Sequence, residues 1–406
     1  MVTLYSLGIR FYYLLILVVS AFNKKAKLWI MGRKKWDEQL RKAIDNSKPT
    51  AWFHCASLGE FEQGRPIIEA YAQKYPTHQI VVTFFSPSGY EIRKNYPTAT
   101  HVCYLPLDTK RNAKRFISIV KPKNVFFIKY EFWFHYLNQL RKENIPTYLV
   151  SAIFRPKQIF FRWYGGWNRK MLGCFTHLYL QNSESKALLE SIGVTNTTVA
   201  GDTRFDRVYA TAKAADKIPM LDEFCANSTI IVAGSTWPKD EELLLNNASL
   251  FKTDVKLIIA PHEIHSARIE ELIKGFGLKC ARYTTSQNHD LSQARVLFID
   301  TIGLLASAYK YGSIAYIGGG FGVGIHNTLE PATFGIPVVF GPNYNKFREA
   351  KELIAQKAAF TISSSDELST TLSFLLDEEN RKKAGRIAAQ YVEQNIGATQ
   401  TIINAV

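Results

Sequence analysis

Short apolar segments rich in β-branched and aromatic residues alternate with amphipathic segments from about residue 50 to the C-terminus. Such alternation predicts parallel βα units, in which buried strands are flanked by helices. The expected strands form two series, 51–55, 79–85, 101–105, 124–128, 147–151, 177–181 and 197–200, then 229–233, 255–260, 296–299, 313–317, 337–340 and 359–362. Apolar residues at helical spacing predict helices at 62–74, 88–95, 110–120, 132–143, 240–250, 264–274, 302–309, 345–355, 366–376 and 379–395.

Two series of strands in 406 residues indicate two α/β domains, because a single hydrophobic core rarely grows that large. The charged and less regular segment 213–224 is the best boundary between them. We expect three regions: an N-terminal anchor and basic segment at 1–36, a first domain at 37–211 and a second at 212–406. Two such domains imply a cleft lined by the loops at the carboxyl ends of both sheets.

The N-terminal segment 4–22 is almost wholly apolar and is interrupted by Arg10. A full membrane span needs about 20 apolar residues, so the segment qualifies only if Arg10 extends its charge to the interface. The segment is followed by cations and interfacial aromatics, namely Lys24, Lys25, Lys27, Trp29, Arg33, Lys34, Lys35 and Trp36. This pattern favours a membrane anchor with the bulk of the protein on the cytoplasmic face. A cleaved signal peptide and a buried helix are the alternatives.

The chain carries 50 Lys and Arg against 35 Asp and Glu, a formal net charge of +15. This excess favours an anionic membrane surface or a phosphorylated substrate. Nucleic acid is not expected as a partner, because no zinc-finger spacing or RNP-like motif occurs. The five cysteines are scattered without C-x-x-C pairs, which is typical of reduced, buried thiols in a cytosolic protein.

The glycine-dense segment 318–330 follows the expected strand 313–317 and reads Gly-Gly-Gly-Phe-Gly-Val-Gly-Ile-His-Asn-Thr-Leu-Glu. A helix beginning at His326 would place free N–H groups and the helix dipole beside the turn, which together favour an anion. Glu330 could accept hydrogen bonds from sugar hydroxyls, so we expect a nucleotide or nucleotide-sugar site. A glycine-rich loop serving only close packing is the alternative. Neither the dinucleotide fingerprint nor a P-loop is present.

Three charged residues of the first domain follow expected strands. Glu60 lies at a probable helix start after 51–55, where it is either a first-turn carboxylate or a general base. Glu131 lies among large aromatic residues and should be hydrogen-bonded or functional, with a structural ion pair to Lys129 or Arg155 as the alternative. Arg204 could hold a phosphate or carboxylate, or be a solvated cation.

Two further loops belong to the second domain. The small-residue turn 234–237 suits an anion or a simple helix cap. The segment 260–265 contains His262 and His265, but their spacing is not that of a zinc motif, and a loop contacting a base or ribose is the better interpretation. Since the chain also lacks an Asp-x-Asp sequence, we expect any sugar transfer here to need no metal.

These segments, in this order, resemble the 3-deoxy-D-manno-octulosonic acid (Kdo) transferases of lipopolysaccharide assembly. The resemblance runs over nearly the whole chain and rests on the basic N-terminal anchor and on segments 54–61, 130–132, 201–206, 234–237, 261–262 and 326–331. It implies the two-domain GT-B glycosyltransferase fold with an N-terminal membrane helix. It also implies an inner-membrane enzyme that transfers Kdo from CMP-Kdo to a phosphorylated lipid A precursor of the lipid IVA type, with inversion.

By the same resemblance, the first domain binds the acceptor and the second binds CMP-Kdo. Glu60 matches the general base, and Glu131 matches a carboxylate that stabilises the transition state. Arg204 occupies the place of a lysine with that same role, which is a departure because a guanidinium is a planar fork. The nucleotide contacts carry over to Pro261, His262, Ile302, Gly303, Leu304, Asn327, Thr328, Leu329 and Glu330.

Two departures affect the nucleotide contacts. Leu304 stands where the family often has glutamate, so only backbone contacts are expected there. Thr328 stands where the family has proline, a mild change in a first helical turn. No cofactor or metal is expected, and anionic inner-membrane lipids are the expected surroundings of the anchor.

Two other functions remain open from the sequence. One is a GT-B enzyme that uses a UDP-sugar on a different lipid acceptor. The other is a non-catalytic, membrane-bound sensor of nucleotide sugars.

Overall fold

The computed structural model describes residues 1–251, 254–286 and 291–406, which divide into two units. The first unit comprises Met1–Arg207 together with Ile396–Val406, and the second comprises Val208–Asn395. Each unit contains one parallel sheet with helices on both faces, so the α/β class expected from the alternating pattern is confirmed.

The first unit is built on a seven-stranded parallel sheet in the order β3-β2-β1-β4-β5-β6-β7 among the described residues. Its strands are β1 Thr50–Cys55, β2 Gln79–Phe84, β3 His101–Tyr104, β4 Pro122–Ile128, β5 Thr147–Ala152, β6 His177–Leu180 and β7 Thr197–Val199. Every residue of β1 is buried, because helices cover both faces of the sheet. Trp52 packs into the core on one face, while Ala51, Phe53 and Cys55 pack into the core on the other.

The helices of the first unit follow the expected βα order. They are α1 Val2–Val19, α2 Lys24–Met31, α3 Trp36–Ala43, α4 Leu58–Lys74, α5 Pro87–Arg93, α6 Lys110–Val120, α7 Phe134–Lys142, α8 Gly166–Leu172, α9 Ser183–Glu190 and α10 Thr203–Lys213, with a 3₁₀ turn at Ile159–Phe161. Helix α6 shows how the sequence sets these bounds. The Thr109 hydroxyl accepts from the Asn112 N–H at its start, and Lys121 adopts a left-handed conformation at its end.

The second unit repeats this architecture with seven parallel strands in the order β10-β11-β9-β8-β12-β13-β14, counted over the ranges given above. The strands are β8 Thr229–Thr236, β9 Val255–Pro261, β10 Cys280–Arg282, β11 Val296–Phe298, β12 Ile314–Ile317, β13 Val338–Phe340 and β14 Ala359–Thr361. The helices are α11 Pro219–Cys225, α12 Pro238–Asn246, α13 Ser266–Phe276, α14 Leu305–Ala308, α15 Leu329–Thr333, α16 Arg348–Ala355, α17 Ser365–Leu376 and α18 Glu378–Glu393, with 3₁₀ turns at Ala248–Phe251 and Tyr309–Tyr311.

The C-terminal segment belongs to the first unit, whereas we expected it in the second. The Asp206 carboxylate accepts from the N–H groups of Gly397 (2.6 Å) and Thr399 (2.7 Å), and helix α19 Ala398–Asn404 follows. Ile402 and Ile403 of α19 are buried in the same core as Phe53. These long-range contacts, which no local pattern encodes, return the chain end to the first unit.

The expected boundary segment 213–224 also differs from an irregular connector. Helix α10 runs across the unit boundary to Lys213, and α11 begins at Pro219. Leu221 and Phe224 of α11 are fully buried, so this charged segment contains an amphipathic helix.

Helix α1 is the one described helix that is long and apolar enough to cross a membrane, and none of its residues is buried. It contains 18 residues and includes Arg10. All five cysteines are free thiols, of which Cys55, Cys103 and Cys174 are buried.

Candidate active site

The order of the strands creates an equivalent edge in each unit. In the first unit, sheet growth reverses between β1 and β4, and in the second it reverses between β8 and β12. The loops at the carboxyl ends of such strand pairs form the usual ligand site of a parallel sheet. The loops after β1 and β4 carry Glu60 and Glu131, while the loops after β8 and β12 carry Trp237 and the glycine-dense segment.

Glu131 is held by a hydrogen-bond network that begins inside the first sheet. The carboxylate oxygen Oε2 lies 3.0 Å from His54 Nε2 and 2.6 Å from Trp133 Nε1. On the other side of the imidazole, His54 Nδ1 lies 2.8 Å from Thr83 Oγ1, which also accepts from Trp52 Nε1 at 2.8 Å. His54 and Thr83 are fully buried.

One tautomer of His54 gives each of these contacts a donor and an acceptor. An indole N–H only donates, so Thr83 Oγ1 accepts from Trp52 and has its own proton for His54 Nδ1. The imidazole proton then lies on Nε2 and points to the Glu131 carboxylate. In this tautomer Glu131 is oriented by two N–H donors, and Trp133 Nε1 also lies 3.1 Å from His54 Nε2.

Glu131 is therefore hydrogen-bonded, as one of the two interpretations of the sequence requires, and its partners are His54 and Trp133. His54 belongs to the segment 54–61 that the sequence analysis names, but its position opposite β4 could not be predicted from the sequence. In the sheet His54 pairs with Phe127, four residues before Glu131. Strand order alone brings the two side chains together.

Glu60 lies in the first turn of α4, as expected from the sequence. Its carboxylate accepts a hydrogen bond from the hydroxyl of Ser57, the residue that precedes the helix. Ser57 and Glu60 are partly exposed, so the carboxylate is supported on one side and accessible to solvent on the other. The arrangement suits both a helix-start residue and a general base.

The pKa shifts of two neighbouring groups, Tyr130 and Cys55, show that the predicted catalytic residues of the first unit lie close together. Burial raises the pKa of Tyr130, the charges of Glu60 and Asp202 raise it further, and those of Arg155 and Arg204 lower it. Burial likewise raises the pKa of the Cys55 thiol well above its usual value, and Glu60 and Glu131 add to that shift. The three predicted catalytic residues of the first unit thus lie around the carboxyl ends of β1 and β4.

Arg204 is positioned by Asp202 in the first turn of α10. Its Nε and Nη2 atoms lie 2.9 Å and 2.8 Å from Asp202 Oδ2. Gln63 of α4 donates to the other oxygen of Asp202 at 3.2 Å. The guanidinium is therefore a placed cation and not a freely rotating surface charge.

In the second unit, three aromatic rings meet at the ends of β8, β9 and β12. The rings of Trp237 and His262 stack with centroids 4.7 Å apart, and those of His262 and His326 lie 4.5 Å apart. Trp237 Nε1 donates to His326 Nε2 at 3.2 Å. Burial and the nearby charge of His262 lower the pKa of His326, so this ring is neutral near pH 7.

Asp240 is a functional candidate that the sequence reasoning missed. Its Oδ2 accepts from the N–H groups of Trp237 and Gly319, both at 2.9 Å, and its Oδ1 accepts from the Tyr316 hydroxyl at 2.8 Å. Burial raises the pKa of Asp240, an effect that these three hydrogen bonds oppose. The sequence feature that could have identified Asp240 is its position in the first helical turn after Pro238, where a carboxylate typically caps the helix.

The glycine-dense segment is explained chiefly by close packing, the alternative to an anion-binding turn. A Cβ on Gly318 would lie 2.2 Å from the Ser235 carbonyl oxygen, and one on Gly320 would lie 2.6 Å from the Gly341 backbone. Gly319 has a φ of +88°, and its N–H is donated to Asp240. The expected helix from His326 is also wrong, because α15 begins at Leu329 and has only five residues.

A cavity of about 270 Å³ lies beside this segment within the second unit. Typical ligand pockets measure about 300–1,000 Å³, so it accommodates a small group. Its lining residues are Trp237, Pro238, Lys239, Asp240, Gly319, Phe321, Gly322 and Val323.

The remaining predicted nucleotide contacts lie on two loops of the second unit. Asn327 donates to Glu330 at 3.0 Å and also caps the N–H of Leu329, while Thr328 is buried. On the other loop, Ile302 is 92% exposed, Gly303 has a φ of +97°, and Leu304 precedes the short helix α14. We expected one longer helix over 302–309, but the conformation of Gly303 delays its start.

Tyr309 packs beside the end of β8 and the start of α14. Burial and the charge of Glu330 raise the pKa of its phenol. A Cβ on Gly234 would lie 2.0 Å from its hydroxyl oxygen and 2.9 Å from Leu305. The structure therefore gathers the end of β8, the start of α14 and Glu330 around one buried tyrosine. Pro261 ends β9 beside Thr236 at the same edge.

Among the described residues, no group of three or more His, Cys, Asp or Glu side chains is arranged to hold a metal ion. His262 and His265 in particular do not share such a cluster. Metal-independent transfer stays a prediction.

Comparison with known proteins adds independent information. The family model for 3-deoxy-D-manno-octulosonic-acid transferase (kdotransferase) matches residues 34–207. A 3-deoxy-D-manno-octulosonic acid transferase of Aquifex aeolicus is 28% identical over 87% of this chain and 95% of its own length. Enzymes with the same name from Rickettsia bellii and Chlamydia muridarum are 28% and 26% identical over 85% and 84% of this chain, and over 84% and 81% of theirs.

Solved structures show the same fold. A UDP-GlcNAc 2-epimerase of Neisseria meningitidis has a TM-score of 0.60 at 17% identity and covers 87% of this chain and 98% of its own. MurG of Acinetobacter baumannii has a TM-score of 0.55 at 14% identity, covering 88% and 99%. The GT-B class expected from the sequence is confirmed, and the resemblance to the 3-deoxy-D-manno-octulosonic acid transferases is confirmed by the family model over residues 34–207 and by relatives 28% identical over most of the chain.

Proposed function

We propose that this enzyme transfers Kdo from CMP-Kdo to a phosphorylated lipid A precursor of the lipid IVA type, at the cytoplasmic face of a bacterial inner membrane. The observation that carries the proposal is the convergence of Glu60, Glu131 and Arg204 at the carboxyl ends of β1 and β4. The relatives that bear the transferase name cover most of the chain and support it.

In the proposed reaction, an acceptor hydroxyl oxygen attacks the anomeric carbon of Kdo. The bond from that carbon to the CMP phosphate oxygen breaks, CMP leaves with the bonding electrons, and Glu60 takes the hydroxyl proton. Attack from the face opposite CMP inverts the anomeric centre. CMP is a good leaving group, so the mechanism needs no metal.

Glu131 and Arg204 would act on charges that develop in the transition state. The Glu131 carboxylate, held by His54 and Trp133, would favour positive charge at the anomeric carbon. Arg204, placed by Asp202, would favour negative charge on the departing phosphate. The second unit would bind CMP through Pro261, His262, the loop 302–304 and the segment 327–330.

Glu60→Gln is the decisive variant. We expect kcat to fall by about 10²–10⁴-fold, because general base catalysis contributes roughly that much, while the affinity for CMP stays within threefold. Mass spectrometry of the lipid product from CMP-Kdo identifies donor, acceptor and the number of sugars added. Calorimetry measures CMP binding.

The matched control is Glu69→Gln on the same helix, since Glu69 pairs with Arg65 and Tyr96, three turns beyond the start of α4. Parallel reactions contain UDP-sugars in place of CMP-Kdo. Turnover of UDP-sugars alone would overturn the proposed donor. Unchanged function of Glu60→Gln would indicate a binding protein instead of a transferase.

A further inference from the structure

Helix α1 contacts the first unit along one face, from its first turn to its middle. Near its start, the Tyr5 hydroxyl donates to Asp108 at 2.6 Å, and Ser6 Oγ lies 2.9 Å from His135 Nε2. The Tyr5 ring also packs against Trp167, with centroids 5.4 Å apart.

The same face continues two turns later. Tyr12 and Tyr13 both contact the ring of Trp29 in α2, at 6.0 Å and 6.4 Å between centroids. Tyr12 also stacks on Phe85, which follows β2. Polar and aromatic contacts therefore fasten α1 to the body of the first unit at two levels.

The opposite face of α1 is apolar and exposed. Leu7 is 55% exposed, Phe11 63% and Val18 67%. The other large exposed apolar residues on and just after the helix are Val2, Leu4, Leu14, Leu15, Leu17, Val19 and Phe22. A water-soluble surface does not normally present such a continuous apolar stripe, so this face is built for a lipid environment.

The contacts of the helix start do not fit a transmembrane orientation. A helix that crossed the bilayer would carry Tyr5 and Ser6 to the side opposite the first unit, because the unit follows its C-terminal end. Both residues instead bind Asp108 and His135 of that unit. In addition, Arg10 lies at the midpoint of the helix, where a spanning helix would bury its charge in hydrocarbon.

We propose that α1 is a monotopic anchor that lies in the plane of the membrane surface, with its exposed apolar face in a leaflet of anionic phospholipids. Arg10 is then free to reach the headgroups, and Lys24, Lys25 and Lys27 at the start of α2 add positive charge beside them. The inference rests on the membrane association proposed above and concerns topology, so its tests need no activity measurement.

Exposed aromatics near the start of α1 extend the same surface. Trp163 is 91% exposed and Tyr164 58%, and both precede α8, whose Trp167 contacts Tyr5. Tryptophan and tyrosine favour the membrane–water interface. They provide a second contact that would hold the helix parallel to the surface.

Spin-label immersion depth distinguishes the two orientations. Leu7→Cys, Leu14→Cys and Val18→Cys place labels on the exposed face, in a Cys225→Ser/Cys280→Ser background that leaves only the buried thiols. In vesicles of phosphatidylethanolamine and phosphatidylglycerol, an in-plane helix gives all three labels one depth of about 5–10 Å. A depth that changes by roughly 16 Å from position 7 to position 18, at about 1.5 Å per residue, would overturn the proposal. Labels that stay in water would also overturn it.

Sidedness gives an independent test. With protein added to the outside of preformed vesicles, a membrane-impermeant maleimide should modify Thr3→Cys as completely as Lys383→Cys, an exposed position in α18. Protection of Thr3→Cys until detergent is added would mean that the N-terminus had crossed the bilayer. Retained transfer activity in these variants, with a spanning depth profile, would refute the orientation and leave the proposed function standing.

Discussion

Thr83 supports the candidate active site without touching a substrate, and Thr83→Val tests that support. Valine has nearly the shape of threonine but lacks the hydroxyl that bridges Trp52 and His54. Both nitrogen atoms are buried, so each loses its partner with no access to water. A buried polar group left unpaired costs about 1–3 kcal/mol.

The two orphaned groups together predict a loss of about 1–5 kcal/mol, after the added methyl recovers roughly 0.8 kcal/mol. For a unit of about 200 residues, this lowers the midpoint of thermal unfolding by about 2–20 °C. Near-ultraviolet circular dichroism follows the unfolding, because Trp52 is fully buried in this unit.

Two controls separate the hydroxyl from the change of side chain. Thr83→Ser keeps the hydroxyl and should lose only about 1 kcal/mol through its missing methyl. Thr401→Val removes a hydroxyl that bonds a backbone carbonyl at the surface of α19, and it should change stability by less than about 0.5 kcal/mol. Equal stability of Thr83→Val and Thr83→Ser would refute the reasoning about the network.

Three further changes test other parts of the structure. Gly318→Ala sets a methyl 2.2 Å from the Ser235 carbonyl oxygen and should weaken CMP binding at least tenfold in calorimetry. A methyl on Gly322 would lie 3.9 Å from the Gly319 carbonyl oxygen, an ordinary contact, so Gly322→Ala should bind normally; equal affinities would contradict the packing argument. Burial raises the pKa of Asp108 to about 6, above its unfolded value of about 3.9, so the free energy of unfolding should fall by up to about 3 kcal/mol between a pH of about 4 and a pH of about 6. Urea unfolding should show this decline in the wild type and not in Asp108→Asn. Parallel pH curves for the two proteins would refute the reasoning. Arg204→Lys keeps the cation and should retain kcat within about tenfold, while Arg204→Met should lower kcat by at least about 100-fold. Equal losses of kcat in the two variants would show that the planar guanidinium, and not the charge, is required.

Much of the fold could be predicted from the sequence because strands and helices leave local patterns. The expected strands correspond to all the described ones except β10, whose three residues Cys280–Arg282 are only partly buried and show no apolar run. Glu60 was placed correctly in a first helical turn, since that position follows from a strand, a small-residue loop and an amphipathic helix. The resemblance to the Kdo transferases, too, could be recognised from motifs in their chain order.

Other features depended on which segments meet in space. The partner of Glu131 is His54 because β1 lies beside β4, although 77 residues separate the two side chains. Asp240 joins the loop after β8 to the turn after β12 by the same kind of adjacency.

The sequence by itself determined the alternation of strands and helices, the loops that carry the charged residues, the apolar character of the N-terminal segment and the resemblance to the Kdo transferases. Only the tertiary structure decided the return of the C-terminal helix to the first unit, the packing role of the glycines and the docking of Tyr5 and Ser6 against Asp108 and His135. The physical reason is that periodicity and capping are local properties of the chain, whereas hydrogen-bond partners and close backbone approaches arise from strand order and packing between distant segments.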